Sequence, residues 1–222
     1  MIYRLKQLIT YIPFLSALRK YVHRIKYPNN KHTFSCGNNR SGCIHRRVLG
    51  IDNTIIIKDN CKFDNTRIKI VGNNNSITFG KNCRIGPDCS FWIEGNNCSI
   101  VIGDSNTFTM KVHFCVQEDK MSITTGNDCM FANTIEVRTS DAHPIYDKTN
   151  NVRLNPPSPV VIGDHVWVAP NSLILKGTRI SNGAIIGSKS VVTHDISENS
   201  LAVGTPAKVV KDNVYWTREH LF

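Results

Sequence analysis

The sequence predicts an all-β fold, a parallel β-helix whose coils form a three-sided prism. Three observations predict it: a strict six-residue spacing of bulky apolar residues, small residues four positions after many of them, and Gly-Asn inserts between groups of three repeats. An α-helix has about 3.6 residues per turn and cannot keep a period of six, whereas short strands separated by turns can. Three six-residue units then complete one coil, and successive coils stack through parallel strand pairing.

The most regular part of the repeat begins at Ile162. Bulky aliphatic residues there should fill the interior of the prism, and the fifth residue of each unit must be small to fit beside them. The expected interior positions are Ile162, Val168, Ile174, Ile180, Ile186 and Val192, and the fifth positions are Val166, Ser172, Thr178, Ala184, Ser190 and Ile196.

Upstream, the same spacing returns in groups of three. The insert Gly95-Asn96-Asn97 repeats Gly72-Asn73-Asn74, and these residue types suit the positive φ angles of tight turns. The expected interior residues of this part are Ile57, Phe63, Phe79, Ile85, Phe91, Ile102, Phe108, Phe114, Thr125, Phe131 and Val137.

Cysteine occupies the fifth position of several upstream units, namely Cys61, Cys83, Cys89 and Cys129. No CxxC pair occurs, and Cys36 and Cys43 lack the matching His or Cys pair of a zinc site. We therefore expect thiols that act as small buried apolar groups, no metal, and a reducing cytoplasmic location.

The chain of 222 residues has a formal net charge of +10, with many of its basic residues near the N-terminus. No Lys/Arg cluster with stacking aromatics occurs in residues 50–205, so nucleic acid is not the expected partner. Residues 1–30 have apolar residues at helical spacing and predict an amphipathic helix, bent near Pro13, that docks either on an anionic membrane surface or on its own domain. The β-helix is expected over 31–205 and a C-terminal tail over 206–222.

The repeat breaks most extensively between Val137 and Ile162, which predicts a functional loop at 141–161. His143 lies at its start and is the candidate general base. If the coils stack in register, Glu118 lies below Asp141, and Asp119 lies below Ala142. These three carboxylates are the candidates to orient the imidazole, and a backbone carbonyl is the alternative.

Four segments together resemble the hexapeptide-repeat acyltransferases, in particular the galactoside, maltose and polysaccharide O-acetyltransferases. They are TSDAHPIYD, IGDHVWVAPNS, IGSKSVVTHDI and VGTPAKVV, and the resemblance covers roughly residues 79–212. It implies a left-handed β-helix and a homotrimer with sites between subunits. It also implies direct transfer from acetyl-CoA to a sugar hydroxyl, with His143 as the general base.

The resemblance also implies a cofactor groove, which we expect on the C-terminal coils. Trp167 matches the tryptophan that forms a wall of the active site, and Pro170 and Ser188 match positions along the pantetheine arm. The further positions, towards the nucleotide end, are Thr193, His194, Pro206, Lys208 and Lys211. His194 departs from the lysine usual in the family, so a phosphate contact at that position is not implied.

Acceptor binding is predicted for His113, Asp119 and Arg153. The net positive charge and the basic N-terminus favour a membrane-associated or acidic glycan, such as capsule or lipopolysaccharide O-antigen units, over small neutral sugars. The reduced thiols predict a cytoplasmic location, and the basic N-terminus predicts peripheral contact at the inner face of the membrane as an alternative to docking on its own domain. Cys115 lies at an outward position, but only His113 is near enough to activate it, so a covalent acyl-enzyme is not expected.

Three alternatives stand beside this prediction. N-acetylation of an amino sugar is ranked second, because residues 1–50 lack the nucleotide-binding βαβ unit typical of such enzymes. An antibiotic-modifying acetyltransferase would carry the same motifs. A scaffold, or a metal-dependent relative, is disfavoured because no third histidine joins His113 and His143 in the stacking columns.

Overall fold

The computed structural model describes residues 32–37, 40–41 and 44–221. The predicted amphipathic segment at 1–30 lies outside these residues. Every regular element within them is a β-strand, and they include no helix long and apolar enough to cross a membrane.

The strands form three sheets, which are the three faces of a prism. Face A consists of β1 (His32–Cys36), β4 (Asn53–Ile57), β7 (Ser76–Phe79), β10 (Ser99–Ile102), β13 (Ser122–Thr125), β16 (Val160–Ile162) and β19 (Arg179–Ile180). Face B consists of β2 (Arg40–Ser41), β5 (Lys62–Phe63), β8 (Arg84–Ile85), β11 (Thr107–Met110), β14 (Met130–Asn133), β17 (Trp167–Val168), β20 (Ile185–Ile186), β22 (Leu201–Gly204) and β23 (Ala207–Lys211). Face C consists of β3 (Ile44–Leu49), β6 (Thr66–Val71), β9 (Ser90–Glu94), β12 (His113–Gln117), β15 (Glu136–Arg138), β18 (Leu173–Ile174) and β21 (Val191–Val192).

Successive coils pair in parallel, and their inward residues lie directly above one another. Phe91 aligns with Phe114 and Phe114 with Val137, so the predicted register holds on this face. Among the described strands, β22 and β23 alone pair in antiparallel fashion, and an isolated antiparallel bridge joins Tyr146 to Arg153 in the loop. The predicted fold class, a parallel β-helix with three faces, is confirmed.

The interior is the one that the six-residue spacing predicts, because all of the predicted interior and fifth positions are buried. Phenylalanine rings form a continuous stack inside the upstream coils. Phe108 and Phe131 lie face to face with centroids 4.6 Å apart, and Phe91 meets both Phe108 and Phe114 edge-on at 5.7 Å. Such close contacts between large apolar rings are a major source of cohesion in a narrow core.

The predicted cysteine positions are buried as expected. Burial raises the pKa of the Cys89 thiol to about 11 and that of Cys129 to about 12. Cys115, the outward thiol considered above, is also buried, and burial raises its pKa to about 11. A thiol that stays protonated is a poor nucleophile, which agrees with the prediction that no acyl-cysteine forms.

Candidate active site

The predicted catalytic loop leaves the prism after β15 and returns at β16, at the corner between faces C and A. His143 lies on this loop with its side chain exposed. Within residues 32–37, 40–41 and 44–221, no side chain or backbone group makes a hydrogen bond with its imidazole. The ring is therefore open to a substrate hydroxyl.

The backbone around His143 is fixed by a single buried amide, that of Asn155. Its Nδ2 donates to the carbonyl oxygen of His143 at 2.9 Å and to Asp141 Oδ2 at 2.8 Å, and its Oδ1 accepts from the Ile145 N–H at 2.6 Å. Asn155 thus holds both sides of the turn at once. The sequence offered no periodic signal for it, because it lies inside the loop.

Asp141 is bound to groups other than the imidazole. Its Oδ2 accepts from the ammonium of Lys176, which lies at the same corner one coil further on, and from Asn155. The hydrogen bond from Lys176 lowers the pKa of the Asp141 carboxyl below its ordinary value. The carboxylate ties the loop to the following coil, and its role in orienting His143 stays a prediction.

Glu118 has a similar role on the preceding coil. Both oxygens accept from the Arg153 guanidinium, at 2.6 and 2.8 Å, and Ser140 Oγ donates to Oε1 at 2.5 Å. The hydrogen bond from Arg153 lowers the pKa of the Glu118 carboxyl. Arg153, a predicted acceptor-binding residue, thereby fastens the returning half of the loop.

The predicted stacking of Glu118 below Asp141 is not part of the strand ladder. The strand register ends at Cys115 and Arg138, after which the Thr139 hydroxyl accepts the Gln117 N–H at 3.0 Å. Beyond the ladder, Glu118 accepts from the Ser140 hydroxyl, and its stacking below Asp141 stays a prediction. Local side-chain hydrogen bonds of threonine commonly compete with a strand ladder in this way.

Asp119 is bound to the preceding coil. Its Oδ1 accepts from both the backbone N–H and the side-chain amide of Asn96, at 2.8 and 3.0 Å. The same bond recurs one coil earlier, where Asn96 Oδ1 accepts the Asn73 N–H at 2.9 Å. Asp119 is thus the last member of a ladder of corner side chains, and its binding of an acceptor stays a prediction.

His113 lies on the outer side of face C, half-buried between Ser90 and Glu136. Its Nδ1 and Ser90 Oγ are 2.6 Å apart. Burial lowers the pKa of the imidazole, and Arg138 acts in the same direction although Glu136 opposes it.

Trp167 lies on the outer side of β17, between Met130 and Ile185 of the neighbouring coils. A second tryptophan, Trp216, contacts it with ring centroids 6.1 Å apart. Trp216 belongs to the C-terminal strap, which we define as residues 212–221. The sequence did not reveal this contact, because no repeat connects the two positions.

The residues predicted to bind the cofactor lie at two corners. Pro170 and Ser188 stack at the corner between faces B and C, where the Lys189 N–H donates to the Pro170 carbonyl at 2.9 Å. Thr193 and His194 lie instead at the corner between faces C and A, with Thr193 Oγ1 2.8 Å from His194 Nδ1.

The remaining predicted cofactor positions follow β22. Pro206 is exposed at the turn into β23, and Lys208 and Lys211 are exposed on β23 itself. No described residues form a group of three or more His, Cys, Asp or Glu side chains suited to a metal ion.

Within one chain, the predicted base and the predicted cofactor wall lie on different parts of the prism. His143 lies at the corner between faces C and A, whereas Trp167 points outward from face B. The fold therefore separates the candidate base from the candidate wall of the site.

Comparison with known proteins identifies the family. The family model described as "Bacterial transferase hexapeptide (six repeats)" matches residues 159–194. The polysialic acid O-acetyltransferase of Neisseria meningitidis is 35% identical over 180 residues, which cover 78% of this chain and 79% of that protein. This chain belongs to the hexapeptide-repeat acetyltransferases.

Two solved structures extend the similarity of this acetyltransferase across the fold. The polySia-specific acetyltransferase NeuO has a TM-score of 0.75 and 31% identity, covering 86% of this chain and 87% of that one. The polysialic acid O-acetyltransferase OatWY has a TM-score of 0.62 and 29% identity, covering 86% of this chain and 93% of that one. The predicted family and enzyme class are confirmed.

Proposed function

We propose that this acetyltransferase moves the acetyl group of acetyl-CoA to a hydroxyl of an acidic surface polysaccharide or its precursor. The observation that carries the proposal is the exposed imidazole of His143, which has no hydrogen-bond partner in the described structure although its backbone is held rigidly by Asn155. A base that must accept a substrate proton needs an unoccupied ring nitrogen and a fixed position.

The proposed chemistry is direct transfer. An imidazole nitrogen of His143 takes the proton of the sugar hydroxyl as its oxygen attacks the thioester carbonyl carbon. The carbon–sulfur bond then breaks, and the imidazolium returns the proton to the CoA thiolate. Trp167, Pro170 and Ser188 would hold the cofactor, with no acyl-enzyme on the pathway.

The charge distribution supports an acidic acceptor. Outward residues of face A from β4 to β16 carry no charge. On face C, by contrast, one column of aligned outward residues runs from one coil to the next and includes three basic side chains. This face-C column consists of Arg47, Lys69, Trp92, Cys115 and Arg138.

Relatives whose names specify polysialic acid support the same class of acceptor. Lys69 lies over the Trp92 ring, and Arg138 is paired with Glu136. A row of basic side chains on face C attracts a polyanion. An acidic polymer lying along face C would end near the loop that carries His143.

The separation of His143 from Trp167 favours a site shared between subunits. A homotrimer would allow the loop of one chain to approach face B of the next. We also propose that the enzyme acts in the cytoplasm, with residues 1–30 able to contact the inner membrane surface where glycan precursors are assembled. Cell fractionation with and without these residues would test the location.

The decisive experiment measures CoA thiol release with an acidic polysaccharide and with a neutral one. Wild-type enzyme should prefer the acidic acceptor, and His143→Ala should lower kcat by roughly 10²- to 10⁴-fold because a positioned base contributes about that much. Calorimetry should show that the variant still binds acetyl-CoA, and added imidazole should partly restore turnover.

Val152→Ala is the matched control, because Val152 is an exposed apolar residue of the same loop. It should retain wild-type kinetics. Equal turnover of His143→Ala and wild type would refute the assignment of the base, and preference for small neutral sugars would refute the assignment of the acceptor.

A further inference from the structure

The C-terminal strap is bound to the prism by more than its contact with Trp167. It runs back along the corner between faces A and B, from the Val214 N–H bonded to Asn199 at 2.9 Å to Arg218 beside coils much earlier in the chain. Trp216 is the buried residue at its centre, with 6% of its surface exposed, whereas its neighbour Tyr215 is 83% exposed.

Trp216 and His165 hold each other through three contacts. Their rings are stacked, with centroids 4.1 Å apart and planes 6° from parallel. Trp216 Nε1 donates to the carbonyl oxygen of His165 at 2.9 Å, and His165 Nε2 lies 3.1 Å from the carbonyl oxygen of Trp216. His165 is a corner residue with a φ of 52°, so its side chain leaves the prism in a fixed direction.

The carboxylate of Asp128, on the preceding coil, binds both His165 and the strap. Asp128 Oδ2 lies 2.7 Å from His165 Nδ1, and its Oδ1 accepts from Arg218 Nε at 2.7 Å. Arg218 reaches further along the corner, donating to Thr107 Oγ1 at 3.0 Å and to the Cys129 carbonyl at 3.1 Å. Charge-assisted bonds of this kind fix orientation more strongly than neutral ones.

We propose that the C-terminal strap is a positioning device for Trp167, with Trp216, His165 and Arg218 as its positioning residues. The indole of Trp216 lies on the side of Trp167 that faces the corner between faces A and B, and its plane is tilted 48° from that of Trp167. It blocks rotation of Trp167 in that direction. Trp167 itself is half-buried, so part of its indole remains accessible.

This inference rests on the proposed function, because Trp167 matters to the reaction only if it contacts a substrate. It goes beyond that function by assigning a kinetic role to Trp216 and Arg218, which lie outside the hexapeptide repeat, and to the corner residue His165. A rigid indole surface loses less conformational entropy on binding than a mobile one.

The first test is kinetic and uses a double-mutant cycle. Trp216→Ala should raise the KM for acetyl-CoA, the substrate assigned to Trp167, by roughly 5- to 10-fold, as expected for loss of an aromatic pair. The value of kcat should change less. In a Trp167→Ala background, the same substitution should change KM by less than about twofold, because the indole that it positions is gone. Tyr215→Ala, on the exposed side of the strap, is the control and should match wild type.

Two conservative variants keep the test informative if Trp216→Ala folds poorly. His165→Asn suits the positive φ of the corner, yet removes the stacked ring and its bonds. Arg218→Met keeps the length of the side chain and removes the clamp on Asp128. Both should raise the same KM as Trp216→Ala.

The second test needs no turnover. Near-ultraviolet circular dichroism should show a coupled indole signal from Trp167 and Trp216 in wild type, which Trp216→Phe abolishes and Arg218→Met weakens. If wild type transfers no acetyl group, the proposed function fails while this signal still tests the strap. Wild-type kinetics in Trp216→Ala, an effect that persists without Trp167, or an unchanged signal in Arg218→Met would each overturn the inference.

Discussion

Glu118 and Asp141 hold the loop of the candidate base His143 without a hydrogen bond to its imidazole. Each is bound by a cation, Arg153 or Lys176, and each ties one half of the loop to a different coil. The loop therefore has its own electrostatic anchors in addition to the Asn155 amide. Because the imidazole of His143 depends on the loop for its position, the anchors should influence activity indirectly.

The anchor at Glu118 should fail at low pH. The folded protein lowers the pKa of the Glu118 carboxyl. The stabilisation that this carboxylate gives the loop is therefore fully present above the carboxyl pKa of the unfolded chain, and it is lost as the pH falls through the carboxyl pKa of the folded protein. Limited proteolysis at pH values from 7 to 3 should show cleavage within 141–161 rising steeply below about pH 4.

Glu118→Gln provides the comparison. Its loop should already be cleaved faster at pH 7, because the amide cannot replace the bidentate ion pair with Arg153. Its cleavage rate should also change less with pH, leaving only the contribution of Asp141. A loop that resists protease equally in both proteins at pH 7 would show that Glu118 is not an anchor.

Among the structural elements, the corners are held by specific hydrogen bonds, as the strands are. Asn75 is buried, with 1% of its surface exposed, and its side chain pairs two backbone groups of the next coil. Its Oδ1 accepts the Cys98 N–H and its Nδ2 donates to the Gly95 carbonyl, both at 2.8 Å. The inserts that separate the upstream repeats thus carry internal hydrogen-bonding groups as well as turn geometry.

Asn75→Ala should lower the free energy of unfolding by about 2–4 kcal/mol, because it leaves a buried donor and a buried acceptor without partners. Asn97→Ala, in the same corner, is the control. Its side chain is exposed and its φ is 57°, so the loss should be only about 1 kcal/mol, from the left-handed backbone. Urea unfolding measures both, and equal losses would contradict the role assigned to Asn75.

The strands and the interior could be predicted from the sequence because a buried residue recurs at every sixth position. Ile162, Val168 and Ile174 were therefore identifiable without any knowledge of their neighbours. The partners of Glu118 could not be predicted beyond the end of the strand register, where side-chain hydrogen bonds of Thr139 and Ser140 follow the ladder. The contact between Trp216 and Trp167 was likewise invisible, since it joins a non-repetitive segment to the prism.

At the scale of the whole molecule, the outward residues of face A from β4 to β16 are uncharged, whereas face C carries the column that contains Arg47, Lys69 and Arg138. Adjacent strands lie about 4.8 Å apart, so the face-C column from Arg47 to Arg138 extends about 19 Å along the axis towards the loop. That length would accommodate several units of an acidic polymer. A short acceptor that occupies only the region of His143 would not reach Lys69.

Charge reversal at Lys69 should therefore distinguish long acceptors from short ones. Lys69→Glu should raise KM for a long acidic polysaccharide by roughly 3- to 10-fold, because an exposed attraction is replaced by a repulsion, and should leave KM for a one- or two-unit acceptor unchanged. The difference should shrink at high salt, where exposed charges are screened. Lys58→Glu, which makes the same change of charge beyond β4 on face A, is the control. Equal effects of Lys69→Glu on long and short acceptors, or of Lys58→Glu and Lys69→Glu on the long one, would mean that face C does not guide the polymer.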